Sequence, residues 1–600
     1  MERLKKNLYK NIILALSGTL GIMIEMADSA QNANLAGDIL WIPIFGFMYY
    51  LYSKVEKSIP DKKRKMMVLL YSVFLAFSLT LGIALDQDAG LTTWVIIVKS
   101  VILTVSLYPM VEFVTCWLDK PHKVRDVIVG QDKKVFMVSY GIVVLLWLMT
   151  YMASFPGIYG IDAPTWYNMW RPGSRNVSSQ WSVVISGVFY GLVHIGEKMG
   201  NPNIGFAMYT MLQMICILAV IWKIMKFMQK EVSNAATIIT ALFFALVPTH
   251  AILAITSAQD GLFAACFAMC SMYIVEFSKN KEFYCNKRNI VKLIFWLILL
   301  CVIRNNGLYA IVVMAVLAWL IKKKNKQIRK YLYGSLGIVV LVVMLYQGPV
   351  YGLLHVQKGT AVREMLSIPL QQMASVYNYA PLDDGLKKEI EKYVPEKNLK
   401  EYIPGISDAV KNYLRVSKVK ENPTDFLKLY VKVCSKYPKY ALTGILKQTY
   451  GLWHLNKRYP DDHLWHPYIN YKNTDARINW GSDSLNITQT SILPWYNKLL
   501  SYLFADGDDA SGYGGGLQTH FQQIPGLAML CKLGTYFWIV VYIAMYGVYK
   551  GWKEKNLLVY FNLGLTCTVF LSPLMCYRYY APVIFSIPVI VSLLFNGKER

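Results

Sequence analysis

The chain reads as an all-α polytopic membrane protein with about fourteen transmembrane helices and one small, mostly helical extracytoplasmic domain. Three observations predict this class. Hydrophobic residues make up 55% of the 600 and charged residues only 16%, with a mean hydropathy of +0.33, so the bilayer is the expected solvent. Apolar windows of about twenty residues, enough to cross a hydrocarbon core as a helix, recur along most of the length. Finally, 62 Lys+Arg against 37 Asp+Glu give a net charge of +25, and the excess is not spread evenly. It sits in short connections such as "KVEKSIPDKKRK" (54–65), "DKPHKVRD" (119–126), "KNKEFYCNKR" (279–288) and "IKKKNKQIRK" (321–330), where the positive-inside bias places it. That clustering argues against nucleic acid as a partner.

The spans are expected near 9–26, 38–53, 67–86, 91–115 and 135–154, then 204–226, 234–253, 260–278, 289–303, 307–321 and 334–352, and finally 527–549, 556–573 and 579–596. The first has no small-residue cleavage site behind it and reads as an uncleaved span. With both termini cytoplasmic, every basic connection falls inside, provided that "WSVVISGVFYGLVHI" (181–195) does not cross. Its fifteen residues suit an interfacial helix on the outer leaflet. Residues 155–203 then form the first outer loop, and 353–526 the extracytoplasmic domain. This domain has 21 Lys+Arg against 17 Asp+Glu, a difference of +4, and its apolar residues recur with helical spacing. The ten Cys form no C-x-x-C pair and read as packing residues. No short-period repeat and no pair of broken helices in corresponding halves is evident.

Four ionisable residues fall at the outer ends of expected spans, where desolvation makes charge expensive: Asp162, Asp260, Arg304 and Arg578. Carboxylates and guanidiniums at the outer surface suit a polar, anionic substrate presented from the membrane, such as a lipid-linked phosphosugar. Asp162, in "SFPGIYGIDAPTW" (154–166), can serve as general base toward an acceptor hydroxyl or help to hold a divalent cation near a phosphate. Alternatively it caps a turn between Pro156 and Pro164. Asp260 can be a second carboxylate of that site, or a helix-start residue three after Ser257. Arg304, in "RNNG", and Arg578, flanked by Tyr577, Tyr579 and Tyr580, can grip a phosphate through paired hydrogen bonds. The bland alternatives are a snorkelling Arg and interfacial aromatic anchors.

Weaker signals are a His pair in "DDHLWHPY" (461–468) without a third zinc ligand at defined spacing, a loosely calcium-like "DGDDASGYGGG" (506–516) that reads as a link, the lone His194 and His250, and glycosylation patterns at "NVSS" and "NITQ". No Walker loop or G-x-S-x-G is present.

"FPGIYGIDAPTWYNMW", "SAQDGLFAACF", "IRNNGLYAIVVMAV" and "YRYYAPVI", in that order, resemble the landmarks of bacterial polytopic glycosyltransferases of GT-C architecture. "REMLSIPLQQMASVYNY" with "YIPGISDAVKNYL" resembles, more narrowly, an uncharacterised family of multi-spanning proteins abundant in low-GC Gram-positive bacteria. The likeness covers roughly 135–600. It implies an N-terminal four-helix addition (1–134), a GT-C-like core (135–352), the extracytoplasmic domain (353–526) and three C-terminal spans (527–600). It further implies a location in the bacterial plasma membrane and a hexosyltransferase activity in which sugar passes from a polyprenyl-phosphate donor to an envelope glycan, lipid or protein acceptor. The resemblance makes Asp162 the catalytic acid; by their position at span ends Asp260 is the second catalytic candidate, and Arg304, Arg578, Tyr577 and Tyr579 are the candidates to bind the lipid phosphate or substrate. One departure stands out: relatives carry a His-Pro pair at the start of the interfacial helix where this chain has "SSQWSVV" (178–184), which implies a changed substrate or a degraded site. Two other classes compete. A transporter or flippase for a lipid-linked or anionic solute needs ionisable residues deep in the spans, for which Lys99 and Glu112 are the candidates; an envelope scaffold needs no convergence of the four charges.

Overall fold

The computed structural model describes residues 2–30, 38–56, 61–86, 93–120, 132–160, 162–174, 177–279, 281–319, 326–357, 361–455, 485, 487–504, 524 and 526–595. The chain begins with α1 (Glu2–Ala30), α2 (Trp41–Glu56), α3 (Lys62–Asp86) and α4 (Thr93–Asp119). Next come α5 (Lys133–Ala153), α6 (Ala163–Trp170), α7 (Val183–Lys198), α8 (Pro202–Glu231), α9 (Asn234–Leu246), α10 (Pro248–Ile255) and α11 (Gln259–Lys279). They are followed by α12 (Lys281–Cys285), α13 (Lys287–Ile303), α14 (Asn306–Trp319) and α15 (Lys326–Leu345), which runs through a π turn (Tyr346–Val350) into α16 (Tyr351–Leu353). A separate helical domain contains α17 (Ala361–Met365), α18 (Ser367–Tyr379), α19 (Asp384–Glu391), α20 (Glu396–Lys400), α21 (Asp408–Lys411), α22 (Val416–Glu421), α23 (Pro423–Lys436) and α24 (Pro438–Trp453). The last helices are α25 (Pro494–Phe504), α26 (Leu533–Tyr549), α27 (Asn556–Phe570) and α28 (Tyr577–Phe595). Among the described residues there is no β-strand, only isolated bridges.

Among the described residues eight helices, α1, α3, α4, α5, α8, α11, α15 and α28, are long and apolar enough to cross a membrane. The chain is a multi-pass, all-helical membrane protein. The stretch expected as one span at 234–253 is broken: α9 and α10 meet at 62° across Val247. The stretches at 307–321, 527–549 and 556–573 form apolar helices of 14, 17 and 15 residues. Those at 38–53 and 289–303 form helices of 16 and 17 residues.

The bundle is built around α11 and α28. α11 presents Ala264, Ala265, Cys266, Ala268 and Cys270, all buried, and small side chains let helices approach closely in the absence of water. Phe267 stacks on Phe561 of α27 with ring centroids 4.2 Å apart. Several helix ends gather at one end of the bundle. Tyr151, at the close of α5, donates its hydroxyl to Ala207 O at the start of α8 (3.1 Å). Ser182, the N-cap of α7, donates its hydroxyl to Val302 O near the end of α13 (3.0 Å). At the other extremity of α7, Gly196 lies so close to Gly205 of α8 that a Cβ there would stand 2.4 Å from the Gly205 nitrogen. Both ends of α7 are thus held at one end of the bundle, so this helix does not carry the chain across. It buries Phe189 and Val193 and leaves Val184, Val188 and Ile195 exposed, an apolar stripe suited to lipid.

The opposite end is basic, bearing Lys62, Lys63 and Lys65 of α3, Lys133 and Lys134 of α5, Lys230 of α8, Lys287 and Arg288 of α13, and Lys550 after α26. There Arg64 pairs with Glu112 (2.9 Å) and Asp119 (3.6 Å), while Asp119 also takes Lys550 (2.6 Å) and the hydroxyls of Tyr546 (3.0 Å) and Tyr549 (2.8 Å). This network binds α3 and α4 to α26. Lys99 pairs with Asp28 (2.5 Å). Both deep-lying candidates for a transport path are therefore engaged in ion pairs within two turns of an end of α4.

The expected helical domain has its own core, including Leu370, Met373, Leu386, Ile390, Val410, Phe426 and Val433. Its α19 starts at Asp383, whose carboxylate accepts from Leu386 N (2.8 Å) and from Lys436 Nζ (2.9 Å); these two bonds, Lys436 first, hold the Asp383 carboxyl below the usual range. The domain grips the segment before α28. Ser407 donates through N–H (2.9 Å) and Oγ (3.1 Å) to Pro573 O, and Gln448 Nε2 donates to Ser572 O (3.0 Å).

Candidate functional site

After α5 the chain turns and lays Ile158 beside the joint between α10 and α11. Ile158 N–H donates to Ile255 O (3.0 Å), Ser257 N–H donates to Ile158 O (3.0 Å), and Gly160 N–H donates to Ser257 Oγ (2.8 Å). Thr210 of α8 donates to Pro156 O (2.6 Å). Gly157 sits at φ +120°, and a Cβ there would stand 2.7 Å from Thr210 Cγ2 and 2.8 Å from Ile255 O, so both backbone and space require glycine. This short ladder delivers Asp162 to the N-cap of α6, a position where a carboxylate usually accepts from a first-turn N–H. Asp162 makes no such bond. Its Oδ2 accepts instead from Arg578 Nη1 (3.1 Å), so the turn-capping alternative gives way to a long-range ion pair.

Asp260 stands in the first turn of α11, the helix-start position that the sequence offered as its alternative role, while Ser257 Oγ accepts from Gly160 N–H. Asp260 is 3% exposed and ion-paired to Arg304 Nη1, and its other oxygen lies 4.0 Å from Arg578 Nε. Arg304 is the C-cap of α13. The Tyr579 ring lies against both cations, 4.7 Å from the Arg304 guanidinium carbon and 5.0 Å from that of Arg578, a cation–π arrangement. The Tyr579 hydroxyl accepts from Arg578 Nη2 (3.3 Å). Asp162, Arg578, Asp260 and Arg304 therefore form an alternating row of charges drawn from four segments, with no net charge. Guanidiniums in such a row offer paired donors to a phosphate, and the carboxylates offer acceptors to a hydroxyl.

Tyr577 departs from the sequence expectation that grouped it with Tyr579. It is 1% exposed, and its hydroxyl meets His250 Nδ1 (2.9 Å) inside the bundle, where His250 packs on Phe244 and Phe585. Two residues of helix rotate the side chain about 200°, which turns Tyr577 inward and leaves Tyr579 with the arginines. His194 pairs with Glu197 (3.2 Å). Glu197 also accepts from the Tyr167 hydroxyl (2.6 Å), and burial, then this bond, holds the phenol above its ordinary range.

The supporting residues escaped the sequence reading. Gln213 Nε2 donates to Ala254 O (2.9 Å) and Thr256 O (2.7 Å), bracing the chain between α10 and α11, and Gln259 Oε1 accepts from Ser182 N–H (2.8 Å). A glutamine buried in an otherwise apolar span is the available signal for Gln213. Ser182 belongs to "SSQWSVV", so this segment is fastened to the start of α11 and the end of α13, beside the charge row.

A divalent cation does not fit these residues. Asp162 and Asp260 already share the Arg578 guanidinium, and among the described residues no group of three His, Cys, Asp or Glu could hold a metal. The segments 461–468 and 506–516, and the asparagines of "NVSS" and "NITQ", lie outside the described residues.

No curated protein and no solved structure matches the chain. A family model described as a family of unknown function, DUF6020, matches residues 149–600, from the last turn of α5 onward, and so covers all four members of the charge row while leaving out α1 to α4. The chain belongs to the DUF6020 family.

Proposed function

We propose that the protein is a GT-C-type membrane glycosyltransferase of the bacterial plasma membrane. It moves a sugar from a polyprenyl-phosphate donor to an envelope acceptor at the outer face. The observation that carries this reading is the meeting of Asp162, Asp260, Arg304 and Arg578 around Tyr579 at helix ends of one side of the bundle. Charges at that depth are expensive unless paired, and their pairing partners are those that a phosphate and a hydroxyl can replace. Fourteen passes with both termini cytoplasmic follow if the short and broken helices also cross. Non-crossing α7 and the basic residues concentrated at the opposite end support that orientation. A lipid-facing entry is supported by the exposed apolar stripe of α7.

In this reaction the acceptor oxygen bonds to the anomeric carbon while its proton passes to Asp162. The bond from that carbon to the phosphate oxygen breaks, and its electron pair stays on the polyprenyl phosphate beside the guanidiniums. A general base is worth about 10²- to 10⁴-fold, so Asp162→Asn should lower transfer by that order. The measurement is release of labelled sugar from a panel of polyprenyl-phosphate hexoses by the reconstituted full chain. Equal rates for wild type and variant, or no sugar released from any donor by wild type, would defeat the proposal.

A further inference from the structure

We infer that the Asp162–Arg578 ion pair is a phosphate-exchange latch: a lipid phosphate takes Arg578 from Asp162, and Asp162 takes it back to expel the phosphate. The inference rests on the glycosyltransferase reading for its catalytic meaning, though not for its binding test. It begins from an asymmetry between the two pairs. Asp260 is 3% exposed and its partner Arg304 is 19% exposed, whereas Asp162 is 26% exposed and Arg578 is 15% exposed. A carboxylate nearly sealed from solvent cannot release its guanidinium without standing uncompensated in low dielectric. Asp162 can, because water reaches it when Arg578 turns away.

Asp162 is also free to move in a second sense: it makes no capping bond to α6, so nothing in its own helix start is lost when it lets go. Arg578 is held in place by other means. Its guanidinium lies on the Tyr579 ring, Nη2 donates to the Tyr579 hydroxyl, and Nε faces Asp260. The planar fork therefore stays oriented after Asp162 leaves, and presents the Nη1 donor that Asp162 has vacated. A phosphate oxygen is the ligand that such a charge-assisted donor recognises.

The exchange gives the reaction an order. With Oδ2 engaged by Arg578, that oxygen of Asp162 faces a guanidinium instead of an acceptor hydroxyl; donor binding frees it. When the acceptor proton arrives on Asp162, the competing negative charge is gone, so Arg578 is left to the phosphate as the leaving group gains its electron pair. Loss of that proton to water restores the carboxylate, which reclaims Arg578 and displaces the polyprenyl phosphate.

This assigns opposite effects on binding and turnover to one substitution. In nanodiscs of zwitterionic lipid containing the full chain, labelled polyprenyl monophosphate should bind Asp162→Asn roughly two- to fivefold more tightly than wild type, the scale of losing one partly exposed competing ion pair. Arg578→Gln should lose most of the binding. Inorganic phosphate alone, tested as a second probe, should show the same order of affinities if the phosphate group is what is read, and uncharged polyprenol should show no difference between wild type and Asp162→Asn. Equal or weaker binding of the polyprenyl monophosphate by an Asp162→Asn protein that melts like wild type would overturn the latch, as would an equal gain with polyprenol. Tighter phosphate binding by Asp162→Asn, with no sugar released by wild type from any donor, would uphold the latch while removing the glycosyltransferase reading.

Discussion

Asp260 has to be considered together with Arg304, because a carboxylate only 3% exposed has almost no water to compensate it. Removing one member of a buried pair leaves the other uncompensated, at about 3 to 5 kcal/mol. Arg304 retains 19% exposure and the face of Tyr579, which places Asp260→Ala toward the lower figure, about 3 kcal/mol. In detergent its melting temperature should fall by several degrees, whereas Asp162→Asn, altering a more open pair, should melt close to wild type; the same melting temperature for Asp260→Ala and wild type would contradict the buried pair. The four charges were legible in the sequence because each interrupts an apolar run where charge is costly. Which tyrosine accompanies them was not legible, since Tyr577 and Tyr579 both flank Arg578 in sequence and are separated by helix rotation against a core that includes Phe244 and Phe585.

At the scale of elements, the site depends on segments that are not membrane helices at all. The stretch from Phe155 to Gly160 ties α5 to the joint between α10 and α11, and every later position of Asp162 follows from it. Two glycines separate the causes of that rigidity. Gly157 combines φ +120° with backbone and side-chain atoms closer than 3 Å to a would-be Cβ, while Gly173, at φ +86°, has nothing within 4 Å. Gly173→Ala should cost about 1 to 2 kcal/mol of backbone strain, but Gly157→Ala should cost more and also displace Asp162. The check is sugar release together with the melting temperature: Gly157→Ala should reduce both, Gly173→Ala chiefly the second. The break between α9 and α10 was open to prediction from a proline in the run, yet apolar length made 234–253 look continuous. The helical domain was legible from its spacing; its grip on Ser572 and Pro573 was not, because that depends on contacts between residues more than a hundred positions apart.

For the whole molecule, the two ends of the bundle differ in chemistry. One carries a neutral row of paired charges and the helical domain, and the other carries the basic helix ends and the Arg64, Glu112 and Asp119 network that binds α3 and α4 to α26. Anionic lipid and insertion bias favour Lys and Arg on the cytoplasmic side, so the orientation proposed for the enzyme makes a prediction independent of its chemistry. Cys285, exposed in α12 beside the basic "NKR" segment, should be shielded from a membrane-impermeant thiol reagent in intact cells and should react once the membrane is permeabilised. A cysteine introduced at the exposed Lys397 of the domain, in a Cys285→Ser background, should react in intact cells without permeabilisation. Native Cys216 and Cys567 are also exposed in the protein, but they lie within the apolar helices α8 and α27, where a charged reagent has no aqueous access. Labelling of Cys285 in intact cells, together with protection of the cysteine at 397, would invert the orientation and put the charge row on the cytoplasmic side, where a donor would have to arrive from the opposite leaflet.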